Sequence, residues 1–212
     1  MKITLFGASG RTGRQLIQQA LDLGYEVRAF VRRENAIDIQ NTHLKLIVGQ
    51  LNDETKLREA ISASNVCIST LGGTSLRKPS TEFTNGIQLI TKIMKEEKVS
   101  RLIYLSSVGV GESRYFMAQP IRFLIVDLML RVPLADHGKN ETAIQQSGLT
   151  YTIVRPGGLT DGALSANLKH GSEKIKLKGN PSISRASVAS FMLKQFTDQK
   201  YEKQAVWLYE EK

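Results

Sequence analysis

Three glycines, each three residues from the next, form the motif with the clearest chemical meaning in this sequence: Gly7, Gly10 and Gly13, within GASGRTG. They follow an apolar run typical of a strand and precede a helical pattern, so backbone N–H groups and the helix dipole would meet a phosphate there. The first glycine permits a tight turn, the second a close approach of a pyrophosphate, and the third close helix-on-strand packing. This setting predicts a dinucleotide site. Three further loop residues are assigned to it: Ser9, Arg11 and Thr12.

Two arginines end the next predicted strand, where an NAD-specific site places a carboxylate on the ribose hydroxyls. Arg32 and Arg33 instead fit the 2′-phosphate of NADP(H). A charge-assisted hydrogen bond contributes roughly 1.5–3 kcal/mol, so one such bond predicts a preference for NADP(H) of at least about tenfold. Arg11 is a third candidate phosphate ligand. The alternative is that Arg32 and Arg33 are solvated turn residues, with Glu34 paired to one of them.

Two later strand ends supply further candidate contacts to the dinucleotide. Gln50 and Leu51 follow the third predicted strand, where they border the adenine or form an ordinary strand exit. Leu71, Gly72 and Gly73 follow the fourth strand, and small residues there let the chain pass close to the ribose and pyrophosphate. A plain turn explains these last three residues nearly as well.

The elements that must position these residues alternate along the chain. Aliphatic runs predict strands over 3–6, 27–31, 44–48, 66–69, 102–105 and 151–154, and helical spacing predicts helices over 12–23, 53–63, 82–97 and 137–147. Strands separated by crossover helices predict an α/β fold, a Rossmann-type doubly wound parallel sheet in three αβα layers. We expect one NAD(P)-binding domain over residues 1–212, with a small substrate-side region from 110–136 and 156–182.

The last third of the chain is less regular. Residues 173–178 are predicted to form a strand, Ser184 to be the N-cap of a helix reaching Phe196, and residues 206–209 to close the sheet.

Composition limits the classes of partner. The net charge of +9 suits a nucleic acid, but the basic residues are scattered and an anionic cofactor accounts for several of them, so no nucleic acid is expected. The apolar stretch 121–134 contains three charged residues and cannot span a bilayer alone. Cys67 is the one cysteine, which excludes an internal disulfide, and three dispersed histidines leave no zinc ligand set. No signal sequence is visible at residue 1, so a cytoplasmic location is expected.

Five stretches together resemble one known family: GASGRTG, GYEVRAFVRR, LIYLSSVG at 102–109, SGLTYTIVRPGGLTDG at 147–162, and ISRASVASFML at 183–193. They are similar to the atypical short-chain dehydrogenase/reductases, in particular the NAD(P)-binding NmrA-like group that includes NADPH-dependent flavin and biliverdin reductases. The GxxGxxG spacing of the loop is the form that extended and atypical members use. The resemblance covers nearly the whole chain and implies NADP(H) as the cofactor.

The resemblance also implies positions for the nicotinamide. It puts Ser107 beside the reacting ring with Ser106 next to it, and runs the backbone of Pro156, Gly157 and Gly158 along the same side. A serine hydroxyl there orients a carboxamide or a substrate carbonyl. The alternative is that these serines only form a turn.

The proton donor of many family members is missing here. The family's lysine matches Lys139, and the tyrosine four residues before it is replaced by Ala135. His137 matches a histidine of the flavin and biliverdin reductases, and Tyr115 is a second candidate donor if its loop folds over the nicotinamide. A surface histidine at a helix start is the alternative for His137.

The missing tyrosine bears on the reaction. Reduction of a carbonyl leaves an alkoxide that needs a positioned acid, whereas a flavin or linear tetrapyrrole delocalises the charge and needs mainly proximity and stacking. The sequence thus favours an NADPH-dependent oxidoreductase that transfers hydride to a flavin, a biliverdin-like compound or another conjugated acceptor. The alternative is a non-catalytic NADP(H)-sensing NmrA-like regulator that binds a protein partner. A monomer or homodimer is expected.

Two further features near this site have open interpretations. The apolar stretch 114–134 covers a flat acceptor, forms a dimer face, or packs as an amphipathic helix on its own core. Arg155 faces the substrate or belongs to a buried ion pair.

Overall fold

Strands alternate with helices along the chain in the residues that the computed structural model describes, 1–72, 75–120, 122–177 and 179–211. The strands are β1 (Lys2–Phe6), β2 (Glu26–Val31), β3 (Leu44–Val48), β4 (Val66–Ser69), β5 (Arg101–Leu105), β6 (Thr150–Pro156), β7 (Gly158–Thr160), β8 (Leu168–Gly171), β9 (Ser182–Ser184) and β10 (Gln204–Glu210). The α-helices are α1 (Arg11–Asp22), α2 (Glu54–Ile61), α3 (Thr81–Glu96), α4 (Arg131–Gln146) and α5 (Arg185–Lys194). Short 3₁₀ turns cover Glu34–Ala36 and Gly111–Phe116, and a π-helix covers Arg122–Met129.

The main sheet has the order β3-β2-β1-β4-β5-β6-β10-β8, in which the edge strand β8 is antiparallel to β10 and the other neighbours are parallel. The order in which the chain adds strands to the sheet reverses between β1 and β4. Strands β2 and β3 lie on the β1 side of this point, and β5 and β6 lie on the β4 side. In a doubly wound sheet the crevice at such a reversal, outside the carboxyl ends of the strands, is where ligands bind.

Helices cover both faces of the sheet, as the apolar positions of the strands require. On one face, Leu16 and Ile17 of α1 and Val188 of α5 pack against alternate residues of β1 and β2. On the other face, Leu57 of α2 and Ile90 of α3 join a second buried cluster, to which α4 also contributes. The Rossmann-type, three-layer αβα fold predicted from the sequence is confirmed.

Helix α4 begins at Arg131, six residues before the predicted start at 137. Its first turn contains Pro133. Proline is accepted in a first turn because its missing N–H would have no intrahelical partner there. Helical hydrogen bonding is already established at Leu134, whose N–H donates to the carbonyl of Leu130, four residues earlier, at 3.0 Å.

The strand predicted over 173–178 is wrong within its described part, 173–177. Leu177 makes an isolated bridge to Met117, and the strand of this region is β8, which ends at Gly171. The alternation that suggested a strand arises because Ile175 and Leu177 both pack into a small apolar cluster beyond the sheet.

The predicted cap at Ser184 is confirmed, since its hydroxyl accepts the N–H of Ser187 at 3.0 Å at the start of α5. Strand β10 is also confirmed, but it lies inside the sheet, and β8 forms the edge instead.

The region beyond the carboxyl ends of β5 and β6 contains residues 114–120 and 122–131, hereafter the 114–131 segment. Its core is a third apolar cluster, which includes Val108, Met117, Val126, Leu134 and Trp207. Beside it, β7 and β9 form a two-stranded parallel sheet. Among the described helices, none is long and apolar enough to cross a membrane.

Candidate cofactor and acceptor site

Two adjoining cavities open at the carboxyl ends of β1, β4, β5 and β6, at the reversal point of the sheet. The smaller cavity has a volume of about 250 Å³ and the larger about 480 Å³. Gly10, Leu71 and Gly72 line both of them, so the glycine loop lies at their junction. A ligand bound across this junction would contact the N-terminus of α1 in its middle, which suits the pyrophosphate of a dinucleotide.

The glycine loop is packed too tightly for side chains at two of its three glycines. Gly7 has a φ of +76°, and a Cβ there would lie 2.8 Å from the backbone nitrogen of Leu71. A Cβ at Gly13 would lie 2.7 Å from the carbonyl oxygen of Ala8. Gly10 differs, because a Cβ there meets only the Gly7 carbonyl oxygen at 3.2 Å and otherwise projects into open space. Its missing side chain is therefore what leaves room for a ligand.

The smaller cavity contains one of the two arginines predicted to bind a phosphate. Arg32 lines it together with Ser9 and Leu51. Both arginines are exposed, but Arg33 does not line the cavity and immediately precedes the 3₁₀ turn at Glu34–Ala36. Side chains of consecutive residues in extended backbone point in opposite directions, so only one of the pair faces the cavity.

Two other predicted contacts are also divided between the cavity and the solvent. Leu51 reaches the smaller cavity, whereas Gln50 is exposed and its carbonyl accepts the N–H of Asp53 at 3.0 Å. Of the predicted turn after β4, Leu71 and Gly72 line both cavities, and Gly73 lies outside the described residues.

The larger cavity brings together most of the residues predicted near the nicotinamide. Those lining it are Ser106, Ser107, His137, Pro156, Gly157 and Gly158, and the glycine-loop residues Arg11, Thr12 and Gly13 line it as well. The same cavity also has an apolar wall. It is formed by Met117, Ile125, Val126, Leu130, Pro133 and Leu134.

Ser106 is held by a buried ionic network beneath the cavity. Its hydroxyl donates to Glu141 Oε1 at 2.5 Å, and Arg155 donates to both oxygens of the same carboxylate at 3.0 and 2.6 Å. A further Arg155 nitrogen pairs with Glu112 at 2.6 Å. Arg155 therefore belongs to an ion pair with Glu141 in which both side chains are 5% exposed. Ser107 has no such restraint beyond a bond to the Val108 carbonyl, and its half-buried hydroxyl lies at the cavity wall.

His137 is fixed by a chain of hydrogen bonds from the sheet. Asn140 donates to the Tyr104 hydroxyl at 3.2 Å, and that hydroxyl lies 2.8 Å from Nδ1 of His137. The buried Tyr104 hydroxyl accepts from Asn140 and needs an acceptor for its own proton; we assign that acceptor as Nδ1, which puts the imidazole proton on Nε2. A Cβ built on Gly72, at the cavity junction, would lie 3.9 Å from Nε2. Burial lowers the pKa of His137 to about 4, so the ring is neutral at pH 7 and presents an N–H donor.

Lys139, predicted as the electrostatic support of catalysis, is not brought into the site. It is exposed and lines neither cavity. On α4, residues four apart share a face, so His137 and Glu141 point towards the sheet while Lys139 points away from it. Tyr115 is likewise 64% exposed and outside both cavities.

An ionic bridge that the sequence does not reveal crosses the rim of the larger cavity. Asp161 accepts from Arg11 at 2.9 Å and from Arg185 at 2.6 Å. Arg185 lines the cavity, and its side chain is only 11% exposed. Arg185 is the first residue of α5, directly after the N-cap Ser184. The sequence reveals this cap and therefore the helix start, but it does not reveal that the helix start lies close to the glycine loop. Two arginines against one carboxylate leave this rim positive, which favours an anionic ligand.

Comparison with known proteins agrees with this geometry. A family model described as NAD(P)H-binding matches residues 7–199. The photosystem II assembly factor Ycf39 of Cyanophora paradoxa is 28% identical over 171 residues, covering 77% of this chain and 47% of that protein. The 4-hydroxy-2-methyl-3-oxo-4-farnesyl-3,4-dihydroquinoline-1-oxide ketoreductase of Stigmatella aurantiaca is 27% identical over 171 residues, covering 74% and 49%. The chain thus spans about half the length of these two relatives.

Solved structures share the fold over nearly the full chain. ChuY, an anaerobillin reductase from Escherichia coli O157:H7, superposes with a TM-score of 0.83 at 23% identity, covering 99% of this chain and 97% of that one. A short-chain dehydrogenase/reductase from Veillonella parvula in complex with NADP has a TM-score of 0.81 at 17% identity, covering 99% and 94%. The chain belongs to the NAD(P)H-binding family, whose model matches most of its length.

Proposed function

We propose that this protein is an NADPH-dependent reductase that transfers hydride to a flavin, a biliverdin-like tetrapyrrole or another flat conjugated acceptor. The single observation that carries the proposal is the larger cavity. It combines a broad apolar wall with one neutral N–H donor, at His137, and no tyrosine and lysine pair.

The smaller cavity supports NADP(H) as the cofactor. Arg32 lines it, and no acidic residue occupies the position after β2 where a ribose-binding carboxylate would stand. The adenosine half and its 2′-phosphate would lie in this cavity, the pyrophosphate at Gly10, and the nicotinamide in the larger cavity beside Ser107.

When bound, NADP(H) would supply a hydride to the conjugated acceptor, and solvent would supply the proton that completes the two-electron reduction. The N–H at Nε2 of His137 would hydrogen-bond the acceptor or the carboxamide. With a lowered pKa the ring stays neutral and acts through that hydrogen bond, a role that needs proximity and orientation more than a strong acid.

The relatives support reduction as the reaction type. One is a ketoreductase by name and one structural neighbour is an anaerobillin reductase. The second proposal to be distinguished is an NADP(H)-sensing regulator that binds a protein partner without turnover. The loss of the family tyrosine at Ala135 is compatible with that role too.

The deciding experiment measures NADPH oxidation with and without FMN, riboflavin or biliverdin, alongside calorimetric titrations of NADPH and NADH. Acceptor-dependent oxidation supports the reductase. Tight NADPH binding with no turnover by any acceptor contradicts it and favours the regulator.

A matched pair of variants locates the acceptor. Ile125→Trp fills the apolar wall of the larger cavity and is expected to lower acceptor-dependent oxidation at least about tenfold. Leu124→Trp, one residue away and 55% exposed, changes the outer surface and is expected to leave the rate within about twofold. Equal effects of the two variants would place the acceptor elsewhere.

A further inference from the structure

The 114–131 segment has two apolar faces, of which the cavity uses only one. Its inner face, with Met117, Ile125 and Val126, forms the wall of the larger cavity. Its outer face exposes five large apolar side chains, each 52–67% accessible: Tyr115, Phe123, Leu124, Leu128 and Met129.

This concentration is confined to one part of the surface. Nine large hydrophobic side chains are exposed among the described residues, and five of them lie within these 18 positions. The other four are scattered: Met1, Leu23, Leu76 and Leu164. Single exposed apolar residues are ordinary, whereas a contiguous set marks a contact surface.

The charges around the outer face are predominantly positive. Three arginines flank it, and Asp127 is the one acidic residue of the segment, paired with Arg114 at 2.7 Å and lying 3.8 Å from Arg122. Both guanidiniums also lie over the Tyr115 ring, 5.4 and 5.3 Å from its centroid. Arg131 is exposed and adds a further positive charge. With three arginines and one aspartate, the segment has a net charge of +2.

We propose that this outer face is a peripheral docking surface for an anionic lipid bilayer. Aromatic and aliphatic side chains bordered by arginine are the composition with which helices lie in a membrane interface, where apolar burial and attraction to anionic headgroups add. A second copy of the chain fits less well, because a twofold contact through this face would bring the arginines of both copies together. The net charge of +9 of the whole chain also favours an anionic membrane surface.

The test is co-sedimentation of the full chain with vesicles of phosphatidylcholine alone or mixed equally with phosphatidylglycerol. Binding is expected to the mixed vesicles, at least about tenfold weaker to phosphatidylcholine, and weakened by salt. The double substitution Phe123→Ser with Leu128→Ser is expected to lower the partition coefficient at least about tenfold. Its control, Leu23→Ser with Leu164→Ser, removes two equally exposed apolar side chains elsewhere and is expected to bind as the parent does.

A second pair tests the charge contribution. Arg131→Gln is expected to weaken binding several-fold, whereas Lys194→Gln, which removes one exposed positive charge from α5, has no comparable effect. If one of these variants has a lower melting temperature than the parent, its loss of binding could reflect unfolding, and bilayer contact is then measured by the fluorescence of a Phe123→Trp variant instead. Its emission is expected to be quenched by brominated lipid, well beyond the background from the buried Trp207.

Three outcomes overturn the proposal: no binding to mixed vesicles, unchanged binding by the Phe123 and Leu128 variant, or lipid-free dimerisation that this variant abolishes. The last result would assign the face to a second copy. None of these measurements uses turnover, so a failure here is separate from a failure of the proposed reductase function.

Discussion

The two cavities are built in different ways, although they share the glycine loop. The smaller one is formed mostly by residues at the carboxyl ends of β1, β2 and β4, and the start of α3 adds Ser80, Glu82 and Phe83. The larger one draws on segments as far apart as Gly10, Val126, Gly158 and Arg185. The difference teaches that cofactor recognition here is mostly a local property of strand, turn and helix, whereas the acceptor side depends on tertiary packing.

The largest expected effect concerns the buried charges that support the larger cavity. Glu141→Gln leaves Arg155 without its buried counter-ion and is expected to lower the free energy of unfolding by about 3 kcal/mol. Glu112→Gln, which removes the 57% exposed partner of the same arginine, is expected to cost no more than about 1 kcal/mol. Urea unfolding of both variants measures the difference. Equal losses would mean that the network is not organised around Glu141, and the contrast between the cavities would weaken.

A pH dependence of similar size is expected from His137. Its folded pKa of about 4 lies below the unfolded value of 6.5, so only the unfolded state takes up a proton between these values. Its contribution to stability is therefore fully present above pH 6.5 and is lost as the pH falls towards 4, by about 3 kcal/mol in total. Other groups titrate in this range, so the measurement is the difference between the parent and His137→Gln. A pH-independent difference would show that the ring is not buried in its neutral form.

The smaller cavity is tested by two adjacent arginines. Arg32→Ala is expected to weaken NADPH binding by about 10- to 100-fold through the loss of a charge-assisted hydrogen bond to the 2′-phosphate. Arg33→Ala, outside the cavity, is expected to change it by less than about twofold, and NADH binding should respond to neither substitution. Titration calorimetry with both cofactors decides this. If Arg33→Ala proved the more damaging variant, the assignment of this cavity would be wrong.

The smallest expected effect lies at the rim between the two cavities. Asp161→Asn frees Arg11 and Arg185 from their shared carboxylate and is expected to tighten NADPH binding about threefold at low salt. The gain should shrink as salt is raised. Asp198→Asn removes a carboxylate outside both cavities and serves as the control, and a similar gain there would indicate a non-specific charge effect.

Much of the scaffold was predictable because it depends on local patterns. The glycine spacing, the apolar runs of the strands and the Ser184 cap each act within a few residues, and the structure contains the corresponding elements. The details of the site were not predictable from the sequence, because they depend on the direction in which each side chain points. Arg32 and Arg33 are adjacent and carry the same charge, and the course of the strand determines that Arg32 is the one that lines the cavity.

Long-range contacts explain the remaining differences between sequence and structure. Lys139 matches the family lysine by spacing, yet the docking of α4 on the sheet turns it outward. Arg11 and Arg185 are 174 positions apart in the sequence and are linked by ion pairs to the same carboxylate, Asp161. No local sequence pattern indicates that these residues lie close together.

The interior position of β10 has a consequence for biosynthesis. Val206 and Leu208 are fully buried between β6 and β8, both of which are made earlier. While the ribosome is still adding residues 172–210, the facing edges of those two strands have no partner, and such edges are open to pairing with other chains. This side of the sheet is therefore completed only after residue 210 has emerged from the ribosome, and until then its two open edges are exposed to aggregation.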